Sequence, residues 1–511
     1  TEREEMIGRR RDTTASHQVQ THDGWHRRYL AVLLLVSLLS TQVARADDAQ
    51  DPASVHGSVV FLDDVSLRDG ILTFDDFMTQ VKENHPTLKI ADVDRRLATA
   101  KRIEQQGIFD LTINSRNYFT RYNSATDLGR PEKAISALTS FDLQTRYGPR
   151  ISVGQKLKAL DITPPMYPTG TAGEYFLDVR LPLLRGRRIN APVAAEKKAF
   201  LGEDLASASY ERSRLDLLLR AAHAYWQWVA SYQKLAVEKQ LFELAKFRAE
   251  AVRAAATAGD IPEIDSVEAE QEIQMRIGRL QRAERAVQAA TYDLSYFLWE
   301  PNGQPGCLPG PKNLPTHLPT PVEFDKQQLQ DAKLIALQMR PELKTISISR
   351  QMAQVDLELA RNNLLPQLDA FVDTGYETGK YAIGPTVVAG FTLSFPFLRR
   401  EAKGQVMQAE LNLERLSLQE RRLIQQIFLE IADAVSAINA AYQRYLAASN
   451  ELEAAKTLEK GERNRLSLGD STLFQVNRRE KITAETSIQQ IDLFAEYQFA
   501  VAILRAATGQ L

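Results

Sequence analysis

The sequence predicts a mainly α-helical chain with transmembrane β-strands: long antiparallel coiled-coil helices forming an α-barrel, and short strands contributing to a trimeric membrane β-barrel. Three observations predict it. An ordered set of landmarks occurs twice, two long Pro-free segments carry heptad spacing, and the segments between helices alternate apolar and polar residues with a period of two. Composition fits no competing class. The 511 residues hold 63 Lys+Arg against 65 Asp+Glu, without the basic excess expected of a nucleic-acid binder, so no nucleic-acid partner is expected. A lone Cys307 excludes an intrachain disulfide and a Cys-based zinc site. No apolar run reaches the 18 or so residues that a spanning helix needs.

At the N-terminus, His26-Arg27-Arg28 precedes the apolar run from Tyr29 to Leu39, which is followed by Ala44-Arg45-Ala46 and then Asp47-Asp48. A basic flank, a short apolar stretch and a small-x-small site form the layout of a secretory signal peptide. Cleavage is expected after Ala46, with residues 1–25 an overlong gene start or tail ahead of the signal. Without a Cys after that site, no lipoprotein anchor is expected there. The chain accordingly divides into a tail and signal peptide (1–46), an N-terminal mature segment (47–71), a first repeat (72–300), a linker (301–323) and a second repeat (324–511).

The duplication rests on three landmarks in the same order. His85-Pro86-Thr87-Leu88-Lys89 matches Arg340-Pro341-Glu342-Leu343-Lys344 at an offset of 255 residues. Leu181-Pro182-Leu183-Leu184-Arg185 matches Phe395-Pro396-Phe397-Leu398-Arg399 at an offset of 214, and Ala258-Gly259-Asp260 matches Leu468-Gly469-Asp470 at 210. The offset falls by 41 between the first two landmarks, so the extra length of the first repeat lies between Pro86 and Pro182.

Each repeat reads as helix, β-hairpin, very long helix, tight turn, helix. The first helices are expected over 74–106 and 324–365, the latter stopping at Pro366. The strands follow the period of two: Tyr175, Leu177, Val179, Leu181 and Leu183 oppose Phe176, Asp178 and Arg180, and Val387, Ala389, Phe391, Leu393 and Phe395 oppose Val388, Gly390, Thr392 and Ser394. Leu368, Ala370, Val372 and Thr374 form a third such run, and Leu111, Ile113 and Ser115 a weaker fourth. Such runs suit a membrane barrel. Four strands cannot close one alone, and an open edge in lipid leaves backbone groups unsatisfied, so a cyclic trimer of twelve strands is expected. Within the extra length, residues 141–147 and 151–157, joined by Gly148-Pro149 and followed by 163–168, are expected to stand above the barrel as an extracellular loop rather than add two strands, because Arg150, Lys156 and Lys158 are poor lipid-facing residues.

The long helices are expected over 194–257 and 401–467, each about 100 Å long. Ile424, Ile427, Ile431, Ala434, Ile438, Ala441, Tyr445, Ala448, Leu452 and Ala455 keep steps of three and four, as do Leu215, Leu218, Ala222, Tyr225, Val229, Tyr232 and Ala236. That is a coiled-coil seam whose alanines imply close approach. Return helices are expected over 262–298 and 472–507, and the seven prolines of 301–321 make a linker.

Together the duplication, the two long helices, the strand end Leu181-Pro182-Leu183-Leu184-Arg185-Gly186, the turn Arg465-Leu466-Ser467-Leu468-Gly469 with Gln475-Val476, and the final Leu504-Arg505-Ala506-Ala507-Thr508-Gly509 resemble the outer membrane efflux protein family, the TolC-like channel-tunnels. The resemblance spans about 72–509, apart from the linker and the enlarged hairpin. It implies a homotrimer among outer membrane lipid with a helical tunnel in the periplasm. Its tips would dock a periplasmic adaptor (membrane fusion) protein joined to an inner-membrane transporter, and the whole would act in a tripartite efflux or secretion system as a passive exit duct for small molecules or drugs, or, as a weaker alternative, for exported protein.

The implied tip and gate residues are Gly259, Asp260, Asp265, Arg465, Gly469, Asp470, Gln475 and Arg478. In the family's gate, acids stand six residues beyond each turn Gly. Here Asp265 fills that place in the first turn, whereas Gln475 takes it in the second and Arg478 replaces a further acid. A threefold ring of carboxylates attracts cations and repels anions, so one acidic ring is expected, not two. Asp260 and Asp470 are otherwise expected to cap the return helices, a role that Asp favours.

No metal, cofactor or catalytic role is expected. His85, His223 and His317 stand alone, Asp92 and Asp94 point to different helix faces, and no GxGxxG, P-loop or GxSxG motif occurs. Tyr225, Trp226 and Trp228 are expected in an interface core. The competing reading is an exported periplasmic coiled-coil scaffold whose strands make a soluble sheet.

Overall fold

The computed structural model describes residues 70–123, 128–160, 169–380 and 384–511. The expected signal peptide, the segment 47–69 and the stretch 163–168 lie outside them. In chain order come α1 (Phe74–Asn84), α2 (Pro86–Gln106), β1 (Thr112–Asn123), β2 (Pro131–Gln144), β3 (Arg150–Leu160), β4 (Gly173–Pro182), α3 (Ala191–Ala258), α4 (Glu263–Ser295), α5 (Lys326–Met339), α6 (Pro341–Asn363), β5 (Gln367–Thr378), β6 (Pro385–Ser394), α7 (Arg400–Ser467) and α8 (Leu473–Thr508). Between α4 and α5, the only regular element among the described residues is a 3-10 turn over Pro311–Asn313.

The first helix of each repeat is two helices, which corrects the unbroken spans expected over 74–106 and 324–365. The breaks fall at the residues before Pro86 and Pro341. His85 (φ −66°, ψ 129°) and Arg340 (φ −64°, ψ 120°) are extended, because a following proline disfavours helical ψ. Each proline then opens a new helix, where its missing N–H costs nothing. His85 Nδ1 accepts from the Thr87 N–H at 3.2 Å. Arg340 pairs with Glu342 and Glu430, both at 3.0 Å, and reaches the last carbonyls of α8.

Both long helices have 68 residues, so each spans about 100 Å. Along α7 the seam from Ile427 to Ala455 is buried, with Ile424 and Tyr445 partly so. Along α3 the seam holds from Leu215 to Tyr232 and then shifts: Ala236 is exposed, and Leu235 and Glu238 take the buried positions. The reason is that α3 packs against α4 on one side and α8 on the other, so its buried face is wider than a single stripe.

The six strands form one antiparallel sheet in the order β1-β2-β3-β4-β5-β6. This corrects the four-strand count and the extracellular-loop expectation together. β2 and β3 lie in the wall of the sheet, in register with β1 and β4. Their turn points toward the helices: Arg146 makes a bidentate pair with the buried Glu196 of α3, at 2.8 and 3.0 Å, and lies over the Phe109 ring at 4.6 Å. Lysine placement misled the sequence reading because successive residues of a strand point to opposite faces of the sheet. Arg150, Lys156 and Lys158 share the parity of Asp178, Arg180 and Glu174, to which β3 is registered, and therefore lie on the polar face.

The main core sits beside the middle of α3, where Tyr225, Trp226 and Trp228 are 1%, 4% and 0% exposed. Phe77 and Val81 of α1, Leu294 and Leu298 at the end of α4, and Phe494 of α8 complete it. Tyr225 donates its hydroxyl to the Leu72 carbonyl at 2.9 Å. A second core joins Ile427, Ile431 and Ile438 of α7 to Tyr497 and Leu504 of α8 and Ala336 of α5.

Candidate functional site

The two helical hairpins end in turns of the same build. Gly259 and Gly469 both have φ of 81°, the left-handed conformation that lets a helix reverse. Their N–H groups donate to Ala256 and Leu466 at 3.1 Å, and the next residues, Asp260 and Asp470, donate backbone N–H to Ala255 and Arg465 at 3.0 and 2.9 Å. These paired bonds satisfy carbonyls that a helix end otherwise leaves orphaned. They also correct the capping role expected of the two aspartates. The return helices start later, after extended Pro262 (ψ 144°) and Thr472 (ψ 157°), and neither start has a side-chain cap. Asp260 and Asp470 act through their backbones at the ends of the long helices.

Asp265 lies half-buried in the first turn of α4 and lines a cavity of about 360 Å³ between the two hairpins, with Arg248, Val252, Leu466, Phe474 and Asn477. Gln475 and Arg478 are exposed on the first turns of α8 and do not line it. Arg465 donates to the Asp470 carbonyl at 3.1 Å and pairs with Glu462 at 3.5 Å. The structure thus brings Asp265 against the second hairpin and leaves Gln475 and Arg478 exposed to solvent.

Sequence reasoning missed the residue that ties the tips together. Glu480, only 4% exposed, accepts from Arg248 of α3 at 2.6 and 2.9 Å and from Arg463 of α7 at 2.9 and 3.1 Å. Arg248 also bonds Asn477, and Arg463 pairs with Glu459 at 2.7 Å. One buried carboxylate therefore joins α3, α7 and α8. A signal was present: Glu480 sits four residues after Val476 and four before Ala484, a charge at a buried position of a helical stripe. Buried charges are retained only when paired.

At the other end, the sheet has two chemically distinct faces. Register places Ile113, Phe141, Val153, Leu177, Thr374 and Val387 in one row across all six strands, and Val179, Val372 and Ala389 in the next. This face is apolar and open, with Val387 67% and Phe391 73% exposed. The opposite face carries Asn114, Asp142, Ser152, Asp178 and Asp373. Asp142 there accepts from Asn114, Ser140 and Ser152, tying β1, β2 and β3, and Lys156 pairs with Glu174 at 3.7 Å. An open apolar face over one rank of strands fits hydrocarbon, with the polar face toward water. Among the described residues no helix is long and apolar enough to cross a membrane.

A sequence profile of the family described as "Outer membrane efflux protein" matches residues 335–510. No curated protein matches the chain. Among solved structures, the CmeC outer membrane channel of Campylobacter jejuni is similar with a TM-score of 0.64 at 14% identity, over 88% of this chain and 90% of that one. The open state of the Neisseria gonorrhoeae MtrE outer membrane channel gives 0.62 at 15% identity, over 85% and 88%. The outer membrane protein VceC of Vibrio cholerae gives 0.60 at 14%, over 85% and 96%. At such identities the likeness is one of fold. The chain thus carries the fold of these outer membrane channels along most of its length, and over residues 335–510 the sequence pattern of the outer membrane efflux protein family.

Proposed function

We propose that the chain is the exit duct of a tripartite efflux system: a homotrimer that passes small molecules or drugs outward, joined at its helical tips to a periplasmic adaptor and through it to an inner-membrane transporter. The observation that carries this reading is the six-stranded sheet with an apolar outer face and two free edges, β1 and β6, standing on helices about 100 Å long. In lipid such edges must be paired, and pairing β6 of one copy with β1 of the next closes a ring. The duct supplies geometry and a gate; the pump supplies energy.

In this reading Gly259, Asp260, Gly469 and Asp470 form the tip turns that the adaptor grips, with Arg465 and Arg478 exposed beside them. Asp265 supplies one acidic ring near the axis, and Gln475 leaves the second position neutral. Asp265→Asn is then expected to abolish block of the channel by polyvalent cations from the periplasmic side, measured in planar bilayers.

The primary test is fractionation of expressing cells, with outer-membrane samples run on gels before and after boiling. A detergent-resistant species at three times the mature mass that collapses to monomer on heating is expected. A soluble periplasmic monomer or dimer would refute the channel and favour a scaffold.

A further inference from the structure

We propose that β2 and β3 widen the outer-membrane pore: the assembled barrel has 18 strands, six from each of three copies, and does not set the size limit for cargo. The inference rests on the trimeric channel reading above and adds to it the width of the exit and the class of solute it admits.

Four features place the β2–β3 pair in the barrel wall. Its register is unbroken on both sides, from Thr112↔Asp142 to Asn123↔Pro131 against β1 and from Arg150↔Arg180 to Lys156↔Glu174 against β4. At 14 and 11 residues the two strands are as tall as their neighbours and long enough to cross the hydrocarbon. Their faces continue those of the sheet: Ile135, Ala137, Phe141, Ile151 and Val153 share the apolar rows, and Ser136, Ser140, Ser152 and Lys156 the polar ones. Finally, the pair is fastened at its base by Arg146 to Glu196, and at its flanks by Asp142 to Asn114 and Lys156 to Glu174. Close fit adds to this, since a Cβ at Gly154 would lie 2.2 Å from the Thr139 carbonyl oxygen.

Topology explains how the pair enters without disturbing anything else. β1 ends and β4 begins at the end of the sheet away from the helices, so a connection between those points has the same endpoints with or without an intervening hairpin. The extra length of the first repeat was already located between Pro86 and Pro182 by the offsets of its landmarks.

Barrel diameter rises roughly in proportion to strand number, so 18 strands give a bore about 1.5 times that of 12. At 16 to 18 strands a barrel leaves an open aqueous channel. The helical part gains no element from the hairpin, so the size limit moves to the helical tunnel. The exit then admits hydrophilic solutes of polymer size, provided that they clear the tips.

The test is electron cryo-microscopy of the full-length protein in lipid nanodiscs, beside a variant lacking residues 131–160. The expected maps show 18 strands and 12 strands. In parallel, Val388→Cys, on the polar face of β6, in a Cys307→Ser background reports accessibility to maleimide-linked polyethylene glycols of graded size added from outside. The full chain is expected to react with larger polymers than the shortened one. A wild-type map with 12 strands in the wall and β2–β3 folded away from it would overturn the inference, as would the same size limit in both chains. If the shortened chain fails to assemble, the wild-type strand count decides alone. Absence of an outer-membrane trimer in the wild type would instead overturn the channel reading itself.

Discussion

Glu480 allows the stability of the helical tips to be perturbed at one atom group. Its carboxylate is almost fully buried and accepts four hydrogen bonds from Arg248 and Arg463. Glu480→Ala leaves Arg248, whose side chain is 17% exposed, without its carboxylate partner. Arg463, at 44% exposure, recovers solvation and keeps Glu459. Breaking a buried pair by removing one partner costs about 3–5 kcal/mol. Because one of the two arginines is half in water, the low end, about 3 kcal/mol, is expected. The loss is local, since the two cores lie far up the helices from the tips. Amide hydrogen exchange in the first turns of α8 is therefore expected to accelerate by about 100-fold, at about 1.4 kcal/mol per tenfold, while amides around Trp228 keep their rates. Arg248→Ala is expected to give a similar change, and the double variant less than the sum, because the two residues share one interaction. Additive single effects, or acceleration below threefold at α8, would refute the view that this carboxylate fastens the tips.

Gly469→Val is expected to loosen the second turn by about 1–3 kcal/mol, because φ of 81° is strained for a β-branched residue, and to reduce efflux while the heat-labile trimer persists. Nothing lies within 4 Å of a Cβ there, so the cost is conformational, and Gly469→Asn, which tolerates that backbone, should retain most activity in the same drug-susceptibility assay. Leu177→Arg, on the apolar face, is expected to cost about 2–4 kcal/mol and deplete trimer from the outer membrane, whereas Thr392→Arg, on the polar face, leaves its yield unchanged. Burial holds the His85 imidazole below its ordinary value of 6.5, aided by Arg220 and opposed by the Tyr296 backbone. The folded state then resists the proton that the unfolded chain accepts, so stability is lost as pH falls through 6.5 toward the lowered value. His85→Asn keeps a side-chain acceptor for the Thr87 N–H and is expected to flatten the decline in trimer melting temperature between neutral and acid pH; an equal slope in both proteins would assign the acid sensitivity elsewhere.

What the sequence determined by itself were the features carried by local rules. Helix lengths, the turn glycines and the face of each strand follow from spacing along one segment, and the expected long-helix spans differ from the observed ones by a few residues at most. The breaks at His85 and Arg340 were legible too, had the two prolines been given full weight. Asp260 and Asp470 were misread because an aspartate near a helix start is also near a helix end. Only the extended Pro262 and Thr472 decide which end it serves. Tertiary structure alone decided the rest. Lys156 and Lys158 looked incompatible with a membrane wall until register placed Lys156 beside Glu174 and Lys158 beside Ser136 on the polar face, and the number of strands changed with them. Glu480 and Arg248 are separated by 232 residues, and their pairing depends on how α3 lies against α8. Alternation fixes which way a side chain points along its own segment; which partner it meets there depends on packing between segments far apart in the chain.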